Sequence, residues 1–252
     1  HHRARARADQ RDWRQRAGEG HYVGPSFVDA LTSGESVAVI AEVKRRSPSR
    51  GWIDESLESA TLARAYESGG AGAVSVLTDE TYFAGSAADL VAAHAAVALP
   101  VLRKDFLVAE NDVVDAFDMG AAAVLLIVAA LSDEELAGLI GLADRLGLAT
   151  MVEAHDGEEA ARALDAGARV IGINQRDLRT FEVDTHRAED VVGGLPAGVV
   201  TVCESGLASR DDVERVAGTG VDAVLVGEAF VTSSDPAATV AQFASVRRRA
   251  RG

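Results

Sequence analysis

The chain has 252 residues, 48% hydrophobic and 25% charged, and a length near ~250 is the usual size of a (β/α)8 barrel. A formal net charge of −14 argues against nucleic acid as a partner. No apolar run reaches the ~18–20 residues of a membrane span, so no membrane association is expected.

Residues 1–36 read as an N-terminal helical extension, with helices near 3–17 and 25–32. Its six arginines, and four more in the tail RRRARG, read as solvated charge. Its opening, HHRARARADQ, lacks the apolar stretch of a signal peptide. From residue 37 to 252 a rhythm sets in. Strand 37–43 is followed by helix 57–69, strand 73–78, helix 86–98, strand 100–105, helix 110–119, strand 122–128 and helix 132–146. Strand 149–154, helix 156–166, strand 169–174, helix 184–193, strand 199–205, helix 208–218, strand 222–227 and helix 237–250 complete it. The strands are continuously apolar, as strands buried on both faces are, and several helices end in Gly. Eight βα units without a long linker predict an α/β fold: a single closed (β/α)8 TIM barrel carrying an extra N-terminal helical segment. No G-x-G-x-x-G follows the first strand, which counts against a dinucleotide fold.

Catalytic groups of such barrels sit at the C-terminal ends of the strands. Glu42 and Lys44 end the first strand and share a face at i, i+2. Lys104, Glu153, Asn174 with Arg176, Glu204 with Ser205 and Gly206, and Gly227 with Glu228 end later ones. Of 25 basic residues only Lys44 and Lys104 are lysine, and both fall at strand ends. Arginine stays charged, whereas a desolvated lysine can fall to ~7–8 and move a proton. That points to both lysines as active-site groups, while the neighbouring Arg45 and Arg46 read as ordinary cations. Gly206 and Gly227 lie in the loops where these barrels hold phosphate. The six histidines show no ligand spacing and the one cysteine, Cys203, excludes an internal disulfide, so no metal is expected and a reducing cytoplasm is.

The stretches IAEVKRRSPSRG, LTDETYFAGS, VLRKDF, AVLLIV, VEAHD, GINQRDLRTFEVD, ESGL and VGEAF, in this order, resemble the indole-3-glycerol phosphate synthase family over about residues 27–245. The resemblance implies a carboxy-lyase of tryptophan biosynthesis. It closes a ring in 1-(2-carboxyphenylamino)-1-deoxyribulose 5-phosphate and then loses CO2 and water, with no cofactor. By the same resemblance Lys104 is the general acid of ring closure and Glu153 an acid/base carboxylate, with Glu42 in the same cluster. Lys44 pairs with substrate carboxylate and phosphate and is a second proton carrier; which group acts at which step stays open. Ser47, Asn174, Arg176, Glu204 and Ser205 are implied as substrate contacts. Phe83, Phe106, Leu125, Leu178 and Phe181 are implied as the slot for the aromatic ring. Gly206, Gly227 and Glu228, with Lys44, are implied at the phosphate, where Glu228 replaces a serine of some members. Gln175 stands in a variable slot and is given no role. The expected partner is a small anionic phosphorylated substrate, and a monomer is the simplest assembly. Two alternatives remain at this point: another phosphate-binding barrel such as phosphoribosylanthranilate isomerase, whose early Cys is absent here, or a catalytically silent ligand-binding barrel.

Overall fold

The computed structural model describes residues 12–177 and 182–251. Its strands are β1 (Ala38–Val43), β2 (Arg46–Ser47), β3 (Gly51–Trp52), β4 (Ala73–Leu77), β5 (Val101–Lys104), β6 (Ala123–Ile127), β7 (Ala149–Ala154), β8 (Val170–Asn174), β9 (Val200–Glu204) and β10 (Ala223–Val226). Eight of them close into a parallel barrel in the order β1-β10-β9-β8-β7-β6-β5-β4; β2 and β3 form a separate small hairpin. The barrel strands are built of Val, Ile, Leu and Ala, and nearly every position in them is buried. That is what a sheet covered by helices on one side and filled on the other demands.

The register brings the ends together. Lys104 lies opposite Leu77, Glu153 opposite Ile127, Asn174 opposite Glu204 and Glu42 opposite Ser75. The ionisable strand ends therefore share one rim. Several helices between the strands start on side-chain caps. Ser132 with Glu135 and Ser209 with Asp212 form reciprocal capping boxes. The expected terminal glycines serve their turns in left-handed backbone, as at Gly120 and Gly167, where φ is +83° and +95°.

Each expected barrel strand is present within two residues of its predicted limits; the helices differ more. The last one, Pro236–Ala244, stops well short of 250. Val37 N–H donates to Val246 O and Arg248 N–H to Glu35 O, so the tail lies extended beside residues 35–37. The helix expected from 184 begins at Arg187, because Arg176 pairs with Val183 and Asp184 N–H donates to Gln175 O. The hairpin β2–β3 and the short helices Glu80–Phe83 and Glu228–Val231 carry too few residues to leave a periodic signature.

Of the helix expected at 3–17, Trp13–Ala17 lies within the described residues. It runs along helix Glu110–Asp118, where Arg16 donates to Asn111 at 2.8 Å and pairs with Asp115 and, at 2.9 Å, Asp118. Helix Phe27–Thr32 buries Phe27 and Leu31 against β1, β4 and β9.

Candidate active site

At the C-terminal rim the barrel opens into a cavity of ≈ 570 Å³. Among the expected residues Glu42, Lys44, Ser47, Phe83, Lys104, Phe106, Leu125, Glu153, Asn174, Arg176, Ser205, Gly206, Gly227 and Glu228 line it. Glu204 does not; it stands behind Lys104. Leu178 and Phe181 fall outside the described residues.

The charged groups form a chain. Glu42, almost wholly buried, takes Lys44 Nζ on one oxygen at 2.7 Å and faces Lys104 Nζ with the other at 3.5 Å. Lys104 Nζ donates to Glu204 Oε2 at 2.5 Å. Asn174 Nδ2 donates to Glu153 Oε1 at 3.1 Å, while Asn174 Oδ1 accepts from Ser205 Oγ at 2.8 Å and from the Arg176 main chain at 3.0 Å. One amide thus ties the ends of β7, β8 and β9 together.

Burial alone would raise the Glu42 carboxyl, but Lys44 and Lys104 hold it below the usual carboxylate range. Burial also works against charge on Lys104, yet Glu204, Glu42 and Glu153 outweigh it and hold the ammonium above the usual lysine range. At Lys104 the expectation of a lysine lowered towards neutrality is therefore not met: three carboxylates decide the sign. Glu204 shares the strain. Burial pushes its carboxyl up to about 7, with Lys104 pulling it down and the charges of Glu153 and Glu42 pushing it further up.

Glycine makes this packing possible. A Cβ at residue 227 would come 2.5 Å from Glu42 Oε1, and one at residue 172 would come 2.3 Å from Glu204 Oε1. Gly227, read from the sequence as a phosphate contact, is thus also the space that the Glu42 carboxylate occupies. Glu228 is an anion at the mouth, paired with Arg50 from the β2–β3 hairpin. Its side chain therefore offers phosphate no donor, and any contact from that position is left to the backbone.

The aromatic wall is compact: Phe83 and Phe106 lie 6.4 Å apart between ring centroids and 37° from parallel. Ser205 and Gly206 sit one after the other in left-handed backbone, with φ of +69° and +72°. Ser205 is one of only two non-glycine residues so placed among those described, and Gln175 holds it there. Gln175 is fully buried and donates Nε2 to Ser205 O at 2.8 Å. The variable slot without a role is in fact a clamp on the β9 loop.

Arg45 also departs from its reading as an ordinary cation. Its two terminal nitrogens grip Asp89 at 2.5 and 2.7 Å, and one also donates to Leu57 O at 2.9 Å. Lysine cannot make that fork. Sequence reasoning missed Arg50 and Gln175, whose partners Glu228 and Ser205 lie far away in the chain, and His155, whose partners Glu153 and Glu159 lie only two and four residues away but form no recognisable motif. Among the described residues no cluster of three or more His, Cys, Asp or Glu is disposed to hold a metal ion, and no helix is long and apolar enough to cross a membrane.

Fold and mouth together define a (β/α)8 barrel of the enzyme type, with a charged cavity at the C-terminal rim where such barrels carry their active sites. Residues 3–243 match the family model described as indole-3-glycerol phosphate synthase. The chain is 53% identical over 216 residues to the indole-3-glycerol phosphate synthase of Beutenbergia cavernae, covering 86% of this chain and 80% of that one. It is 53% identical over 205 residues to that of Micrococcus luteus, covering 81% and 76%. Among solved structures, the N-acetylmannosamine-6-phosphate 2-epimerase of Clostridium perfringens aligns with a TM-score of 0.64 over 84% of this chain and 93% of its own. At 14% identity that likeness shows the fold alone. The chain belongs to the indole-3-glycerol phosphate synthase family, the carboxy-lyases that form the indole ring in tryptophan biosynthesis.

Proposed function

We propose that Lys104, Lys44 and Glu153 carry the proton transfers of this lyase reaction, that Glu42 sets the two lysines for them, and that the rest of the mouth holds the two ends of the substrate. The ring carbon bearing the carboxylate bonds to the ribulose C2 carbonyl carbon, and the carbonyl oxygen takes a proton from Lys104. The bond to the carboxylate then breaks, its electron pair restores the aromatic ring and CO2 leaves. Next the new hydroxyl departs as water with a proton from Lys44, and Glu153 takes a proton from the methylene carbon beside nitrogen. Two protons are given and one is recovered, so each turnover takes up one proton from solvent.

The observation that carries this reading is Lys104 Nζ set between Glu204 at 2.5 Å and Glu42 at 3.5 Å on the wall of the cavity. The carboxylates keep it protonated, the form that donates. A proton donor fixed in place contributes roughly 10²–10⁴-fold to rate. The hydrogen bond from Asn174 Nδ2 fixes Glu153 Oε1 in place at the rim. Glu42 orients both lysines. Phe83, Phe106 and Leu125 suit the aromatic end, with Leu178 and Phe181 assigned to it by family likeness. Lys44, Ser47 and Arg176, with the main chain of Ser205, Gly206, Gly227 and Glu228, suit the substrate's anionic groups. Glu204 acts through Lys104 rather than by touching substrate.

A monomer is the simplest assembly, and the single buried cysteine fits the cytoplasm. Adding 1-(2-carboxyphenylamino)-1-deoxyribulose 5-phosphate to the purified protein should produce indole fluorescence and one CO2 per turnover without added metal. Absence of both signals would overturn the assignment, and light scattering checks the monomer.

A further inference from the structure

Two residues beyond Glu153 stands a histidine that the roles above do not use. His155 N–H and its ring Nδ1 both meet Glu159 Oε2, at 2.8 and 3.0 Å, from the first turn of helix Gly157–Asp165. With Nδ1 engaged there, Nε2 turns inward and lies 3.7 Å from Glu153 Oε1. That nitrogen is buried and has no hydrogen-bond partner among the described residues. The ring therefore spans two carboxylates, one on the cavity wall and one on the helix outside it.

The charged groups around this pair come from several elements. Facing His155 are Glu153 from β7, Glu159 from helix Gly157–Asp165 and, opposing a positive charge, Arg187 from helix Arg187–Val192. Facing Glu153 are also Asn174 from β8, Lys104 from β5 and Glu204 from β9. Burial works against the imidazolium, but the hydrogen bond to Glu159 and the charges of Glu153 and Glu159 hold it above the usual histidine range.

We propose that His155, held by Glu159, is a positioning residue that keeps Glu153 ionised as the base of the dehydration step. The inference rests on the reading of Glu153 as that base. An imidazolium at this distance favours the carboxylate over the carboxylic acid. It does so without lining the cavity. Glu159 fixes which ring nitrogen faces inward and supplies the counter-charge that keeps the ring protonated. The bond changes at this step are unaltered: the methylene C–H bond breaks, an O–H bond forms on Glu153, and the electron pair left behind completes the indole double bond as water departs.

The test is the pH profile of kcat/KM for the wild type, His155→Gln, Glu159→Gln and Glu153→Gln, together with NMR titration of the unliganded protein. Removing the imidazolium should move the acidic limb of the His155→Gln profile upward by about one pH unit, and Glu159→Gln should move it the same way by less. The His155 ring signal, identified by its loss in His155→Gln, should titrate at a lower pH in Glu153→Gln than in the wild type. A limb that stays in place in both variants, or a His155 midpoint that ignores Glu153→Gln, would overturn the inference. Glu153→Gln with near-wild-type kcat would instead sink the reading of Glu153 itself, wherever the His155→Gln limb lies. Glu159→Gln leaves the imidazole in place, so the test survives if His155→Gln folds poorly.

Discussion

At the residue scale the site is decided by which group stands behind each active one. Lys104 is charged because three carboxylates surround it, and Glu42 is charged because two lysines do. Gln175 shows the same logic in neutral groups. Its one described side-chain bond holds Ser205 O, and through it a backbone bend that non-glycine residues rarely adopt. Replacing Gln175 with Leu removes the clamp and leaves that carbonyl without its donor. We expect a stability loss of about 1 kcal/mol. KM should rise by about 10-fold with kcat nearly unchanged, since the β9 loop is assigned to holding substrate and not to moving protons. Steady-state kinetics beside a denaturant titration check this, and an unchanged KM would remove the Ser205 loop from substrate binding.

At the scale of elements, the loop after β1 is held by arginines reaching three different neighbours. Arg45 grips Asp89 at the start of helix Ala87–Ala96, Arg46 donates to Thr81 O at 2.9 Å, and Arg50 pairs with Glu228 after β10. Asp89 is buried and burial raises its carboxyl; Arg45, Ser86 and Ser59 reverse that and hold it below the usual range. Arg45→Ala should therefore cost about 2 kcal/mol, because it strands a buried carboxylate, and Arg45→Lys should recover only part of it. Equal unfolding midpoints for the two variants would contradict the role of the fork. This loop also marks where the sequence stops being readable. The barrel strands announced themselves because a strand buried on both faces must be apolar throughout, and their ends followed from where charge begins. The same rule put Lys44, Lys104, Glu153 and Asn174 on one rim. It could not pair Arg50 with Glu228, or Gln175 with Ser205, because those contacts depend on how irregular loops fold back across the mouth. Nor could it show that Glu204 faces Lys104 and not the cavity, since that turns on the space left by Gly172.

At the scale of the molecule, a chain of net charge −14 binds a substrate that is itself anionic. The positive charge it needs is local: Lys44, Lys104, Arg176 and Arg50 all line the same cavity. The described part of the N-terminal extension is set apart from that chemistry, because no described residue before Glu42 lines the cavity. Arg16→Ala should therefore lower stability by about 1 kcal/mol, through loss of its contacts to Asn111, Asp115 and Asp118, and leave kcat unchanged. A large fall in kcat would tie helix Trp13–Ala17 to catalysis. The central claim concerns Lys104, and Lys104→Arg tests it most directly because arginine keeps the charge and loses the acidity. Turnover of the carboxyphenylamino-deoxyribulose phosphate, followed by indole fluorescence, should fall by roughly 10²–10⁴-fold with the protein still folded. Turnover near that of the wild type would contradict a proton donated by Lys104.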